Sequence, residues 1–228
     1  MARQMFMQRF ARWHIWLGWL VGVPILMWTV TGLFMVLRPI DEVRGENLRP
    51  APAAMQTAGL VLPDGAGQVR DMTLAAQPDG PVWIVTEADG GRYRYSAQDG
   101  SLIPPVVKDE AQRIAAANYS GKATLEGVTY FPDDSPPADL RANIATWQAR
   151  FSDGTNMYIN DSTGEVLAIR TGWWRAYDVM WGLHIMDLKT REDAHHPVLI
   201  AFAALSVVGA LLGCTLMFRR RKARVKTP

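Results

Sequence analysis

The sequence predicts a membrane protein: two transmembrane helices flanking a periplasmic α+β domain made of two helix–strand–strand–strand units. Three observations lead there. Charge-free apolar runs lie near both ends of the chain, all 22 acidic residues fall between them, and the middle carries short alternating segments punctuated by Asp-Gly turns.

The first run, Trp13 to Leu37, has 25 residues and no Asp, Glu, Lys or Arg. As a helix it rises about 37 Å, more than the roughly 30 Å of a bilayer's hydrocarbon core. The second, Pro197 to Phe218, has 22 residues and no charge. A near-zero mean hydropathy averages these ends with a polar middle. The first forty residues hold Arg3, Arg9, Arg12 and Arg38 and no acid, and six more cations follow Phe218. The positive-inside rule therefore puts both termini in the cytoplasm and the acidic middle on the far side. The resulting order is a cytoplasmic segment 1–12, a span 13–37, an outer domain 38–170, an interfacial helix 171–190, a span 197–218 and a basic tail 219–228. The first run is too long for a signal peptide's apolar region and has no prompt cleavage site, so it reads as an uncleaved anchor.

Composition removes several classes of function. Residues 39–196 carry fourteen basic and twenty-two acidic side chains, a balance that repels phosphates and argues against nucleic acid. The single cysteine, Cys214, falls in the second run, which excludes a disulfide framework or a cysteine-based metal site within one chain. No Gly-rich strand-to-helix turn suits a phosphate. Asp133-Asp134 has no third ligand at metal spacing. No Ser/His/Asp set forms, because every histidine lies at a membrane boundary.

Within the outer segment, residues 40–50 read as a flexible tether and a short helix is expected near 53–60. "RDMTLAAQ", "PVWIVTEA" and "GRYRYSAQ" alternate like strands and are separated by "PDG" and "DGG" turns. Residues 107–119 place apolar side chains at amphipathic-helix spacing. Strands follow near 123–131, 144–152 and 155–160, and a fourth ends in "AIR" after "DSTG". An offset of 64 residues sets Trp83, Asp89-Gly90, Gly100 and Leu102 against Trp147, Asp153-Gly154, Gly164 and Val166. The outer domain is therefore expected to be an internal repeat, each half a helix and three strands.

"MYINDSTGEVLAIR", preceded by "KDEAQRIAAANY", resembles a PepSY domain. "RWHIWLGWLVGVPILMWTVTGLFM" is similar to the first helix of PepSY-associated transmembrane proteins, and "WWRAYDVMWGLHIMDL" before the second run resembles their later Trp- and Leu-His-containing segment. The order of parts, more than any one motif, carries the likeness. Larger members have four or more spans, so functions that need the larger bundle would require a dimer or a membrane complex here. The resemblance implies a bacterial inner-membrane protein, haem b as cofactor, and a ferric siderophore as substrate outside the membrane.

Haem iron in that role takes two axial imidazoles, and the chain offers His14, His184, His195 and His196. His14 sits near the cytoplasmic end of the first run, with Gly18, Gly22, Ile25, Thr29 and Gly32 along roughly the same stripe. Trp174, Tyr177, Trp181, His184 and Leu188 form one face of the interfacial helix. His195 and His196 open the second span. Some 30 Å separates the two ends of such spans, so His14 and an outer histidine cannot share an iron. An outer site would pair His184 with His195 or His196; an inner one would need His14 and a second protomer. "GWLVG" (18–22) and "GALLG" (209–213) permit close helix contact. Two functions stay open: haem-linked transmembrane electron transfer, and a non-enzymatic anchored binding or regulatory module resembling the inhibitory or chaperone-like PepSY segments of secreted proteases. In the second, the histidines are ordinary interfacial residues beside an aromatic belt.

Overall fold

The computed structural model describes residues 2–52 and 54–224. They divide into a helical unit, bounded by Met1–Arg38 and Ala176–Pro228, and an α+β unit, Pro39–Arg175.

The helical unit is built on α1 (Ala2–Met35) and α5 (Pro197–Arg224). Residues 2–12, expected as a segment separate from the span, continue the same helix. On α1 the face turned inward recurs at alternating steps of three and four: His14, Leu17, Val21, Pro24, Trp28 and Thr31. Val21 and Thr31 are 3% and 2% exposed, whereas Trp13, Trp16 and Trp19 stand 66–81% exposed. Only 11% of the apolar window of α1 and 6% of that of α5 are buried. A core helix of a water-soluble domain would be covered; these outward apolar faces need lipid.

The α+β unit contains two four-stranded antiparallel sheets. Sheet A runs β1 (Val69–Gln77), β2 (Gly80–Glu87), β3 (Arg92–Ser96), β4 (Leu102–Ile103), in that spatial order. Sheet B runs β5 (Leu125–Phe131), β6 (Thr146–Phe151), β7 (Asn156–Asn160), β8 (Val166–Arg170). The two match register for register. Leu74, Trp83, Tyr95 and Leu102 form one cross-strand row, and Tyr130, Trp147, Ile159 and Val166 form its counterpart. A bulge interrupts β1 between Val69 and Asp71 and β5 between Leu125 and Gly127. Asp89 Oδ1 accepts the Gly91 amide at 2.8 Å, and Asp153 Oδ1 accepts the Thr155 amide at 2.9 Å. Both tryptophan indoles donate to a carbonyl of the segment entering their sheet, Trp83 to Val61 and Trp147 to Val106.

The repeat is thus present, with four strands in each half rather than three. The helix is not repeated. α3 (Lys108–Ala117) lays Ala111, Ile114 and Ala115 on sheet B, against Val128, Ala149, Phe151, Met157 and Ile159. In the first half, residues 54–60, where a helix is expected near 53–60, are non-helical, and Ala53 lies outside the described residues. Seven residues separate Val61 from Val69, with Pro63, Gly65 and Gly67 among them, too few and too poorly suited to helix for a second α3.

Residues 40–50 are not a flexible tether either. They form α2 (Ile40–Val43) and a 3₁₀ turn, Glu46–Leu48. Val43 is 1% exposed, Leu48 packs on the sheet B core, and the Leu48 carbonyl accepts the Ser120 amide at 2.8 Å. Gly45 has φ +76°, and a Cβ there would come within 3.0 Å of Ile169; only glycine fits that turn at that approach.

Candidate functional site in the helical unit

Interhelical packing places the histidines. Leu17 lies against Gly209 and His14 against Gly213, where an added Cβ would meet His14 Cε1 at 3.0 Å and Nε2 at 3.4 Å. The "GALLG" sequence of α5 therefore makes the close approach. The "GWLVG" sequence of α1 does not: Gly18 and Gly22 have no atom within 4 Å of a built Cβ, and Ile25 and Thr29 are exposed as well. The glycine stripe expected to share a face with His14 departs from it, because the inward seam follows alternating three- and four-residue steps. His14 is half-buried in that seam, and its buried Nδ1 has no hydrogen-bond partner. It is not a lipid-facing belt residue like Trp13.

His184 closes α4 (Gly172–His184). Its Nδ1 lies 2.9 Å from Thr31 Oγ1, and its ring reaches α1 beside Gly32, which leaves room for it. Thr31 has one hydroxyl proton, and its Oγ1 lies 2.7 Å from the Met27 carbonyl. With the proton donated there, the oxygen accepts from His184 Nδ1–H, so the lone pair of the neutral ring sits on Nε2. This is how a ligating imidazole is normally oriented, by a hydrogen bond on its other nitrogen. Seventeen residues separate His14 from Thr31, about 25 Å along the helix. The two histidines belong to opposite ends of the unit. Continuing the antiparallel register set by Leu17–Gly209 and His14–Gly213 brings Thr31 level with His195 and His196. His195 is exposed, its amide donating to Asp193 Oδ1; His196 is half-buried with a buried, unpartnered Nδ1. Among the described residues no three His, Cys, Asp or Glu side chains gather as a metal-binding group.

The helix expected over 171–190 stops at His184. The Met186 amide bonds to the Leu183 carbonyl and the Asp187 amide to the Gly182 carbonyl, with Met186 at φ +58°. This is a Schellman ending built on methionine where glycine is usual. Leu188 is therefore in a loop, 60% exposed, and not on the aromatic helical face. Asp187 organises that loop. Its carboxylate accepts from the Lys189, Thr190, Glu192 and Asp193 amides and from the Thr190 hydroxyl. Arg191 pairs with Asp178, and its carbonyl accepts the Trp181 indole at 3.0 Å. The Thr190 hydroxyl and amide hold the Asp187 carboxyl far below its usual value of 3.8, against an opposing effect of burial. A lowered carboxylate pKa stabilises the fold above the unfolded value and is lost as pH falls through the folded one. The loop is accordingly fully anchored above about pH 4 and loosens in stronger acid. Asp187→Ala should expose Lys189 and Arg191 to trypsin at neutral pH several-fold faster than wild type; equal cleavage rates would refute this anchoring role.

Thr31 and Asp187 escaped sequence reasoning. Thr31 gave a signal, a hydroxyl three residues beyond Trp28 on the His14 stripe; Asp187 gave none among its acidic neighbours.

Two apolar spans bracketing an α+β unit define a membrane-anchored protein with a paired-sheet domain. The chain belongs to the PepSY-associated transmembrane family, whose description, PepSY-associated TM region, matches residues 11–228. Neither a curated protein nor a solved structure matches it significantly.

Proposed function

We propose that this protein moves electrons across the bacterial inner membrane through haem b held by its boundary histidines, for reduction of a ferric siderophore on the periplasmic side. The observation that carries the reading is His184, turned into the helical unit with Nδ1 engaged by Thr31 and Nε2 left with a free lone pair. His195 and His196 lie just ahead of α5, at the end of that helix which the interhelical register brings toward Thr31, and the unpartnered Nδ1 of His196 is chemically apt for the second ligand. Haem, when bound, supplies a one-electron centre. At the inner end His14 is the one imidazole, so a pair there needs a second protomer or a larger complex. The open space around Gly18 and Gly22 gives α1 a face that another helix can approach closely. Arginines at the α1 N-terminus and the basic tail support cytoplasmic termini; residues 225–228 of that tail lie outside the described residues.

The test is one absorption spectrum of the detergent-purified chain, expressed with ample haem, before and after dithionite. A Soret band that shifts on reduction is expected, and Thr31→Val should reduce haem retention by about 10–100-fold, as loss of a ligand's orienting bond does. A colourless wild-type preparation sinks the proposal. A polar cleft in the α+β unit favours a second reading, an anchored binding or regulatory module. In that case a variant with all four histidines replaced by glutamine would keep its function in cells.

A further inference from the structure

α3 meets the two sheets differently. Its apolar side is buried on sheet B, while Glu110 and Arg113, on another side, reach toward sheet A. Between α3 and sheet A lies a cleft of about 270 Å³, just under the roughly 300 Å³ at which small-molecule sites usually begin. That volume suits a ligand of amino-acid size.

Two guanidinium–carboxylate pairs line the cleft, and they are unequal. Arg94 is 1% exposed and doubly bonded to Glu110, at 2.6 and 2.8 Å. Its Nε, also buried, has no acceptor. That nitrogen is sealed from the cleft, so Arg94 serves as a fixed wall rather than as a contact. Arg113 and Asp79 form the second pair, Nη2 to Oδ2 at 2.7 Å and Nε to Oδ1 at 3.3 Å, and differ from the first in exposure, with side chains 52% and 58% exposed. Such a solvated pair is held weakly and separates easily. Both charges persist at neutral pH, since the Arg113 hydrogen bond lowers the Asp79 carboxyl further. The four charged groups sum to zero, so neither a simple anion nor a simple cation is drawn in by net charge. Val82 and Val107 add an apolar wall.

We propose that this cleft binds a small zwitterion, a free α-amino acid or a dipeptide, whose carboxylate takes Arg113 and whose ammonium takes Asp79. The ligand enters between the members of the exposed pair and satisfies both, its side chain resting on Val82 and Val107. The buried Arg94–Glu110 pair stays closed and holds the far wall. This site does not depend on the haem reading; it holds with or without a Soret band.

Isothermal titration of the detergent-purified full chain with the twenty free amino acids and glycyl-leucine tests it. For the tightest binder, the N-acetyl and amide derivatives, each lacking one charge, should bind at least ten-fold more weakly. Arg113→Ala and Asp79→Ala should each weaken binding at least ten-fold with thermal unfolding unchanged, because the pair they break is exposed. Binding by no member of the panel, capped derivatives binding as well as the parent, or variants binding as well as wild type would each overturn the proposal.

Discussion

Arg94→Met should destabilise the α+β unit by about 3–5 kcal/mol, the usual cost of removing one member of a buried ion pair. Arg94 donates to both oxygens of Glu110, to Gln77 Oε1 at 3.0 Å and to the Pro104 carbonyl at 2.9 Å. Gln77 in turn donates to the Thr163 carbonyl at 2.7 Å. One guanidinium therefore ties β1, β3, α3 and the β7–β8 turn together. Methionine fills much of the volume but leaves the Glu110 carboxylate, only 16% exposed, without its cation. Replacing both partners, Arg94→Met with Glu110→Leu, should recover most of the loss, because no unpaired charge remains. The midpoint of urea unfolding, followed by near-UV circular dichroism of the full chain in detergent, reads both variants. A single variant as stable as wild type would show that the pair contributes nothing net.

Gly213→Leu should separate α1 from α5 at the end where His14 meets Gly213. A single added carbon already stands 3.0 Å from the His14 ring, and three further carbons must displace that ring or the helix that carries it. Overpacking of this kind costs about 1–3 kcal/mol. The same change at Gly18 or Gly22 meets open space and should leave thermal unfolding in detergent unaffected. His14→Ala should partly rescue Gly213→Leu, since the two sites are in contact and their effects should not add. If Gly18→Leu proved as damaging as Gly213→Leu, the assignment of α1's inward face would be wrong.

The element order was readable because its signals are local. Period-two runs broken by Asp-Gly gave β1 to β3 and β5 to β7, and lack of charge gave the two spans. What failed depended on distant partners. Val43 and Leu48 lie among charged residues, and nothing nearby shows that Ile169 and the sheet B core await them. The end of α4 was hidden because methionine holds the left-handed position at 186. Sequence placed His14 near the N-terminal end of its span but not on its face, since several helical stripes pass through one residue and only α5 selects among them. Arg94 was missed for a related reason. "RYRYS" alternates, and arginine in an alternating strand ordinarily marks the solvent side. Here that side faces α3, and Glu110 reverses the expectation.

A helix kept by only one of two matching halves makes the halves unequal heirs of a common plan. The later half carries its own lid and an interior to which Leu48, from ahead of the earlier half, is added. Among the described residues the earlier half has no lid of its own and meets its sibling's through one deep ionic clasp. Freed from completing a fold by itself, it is the half in which sequence can drift toward new ligands.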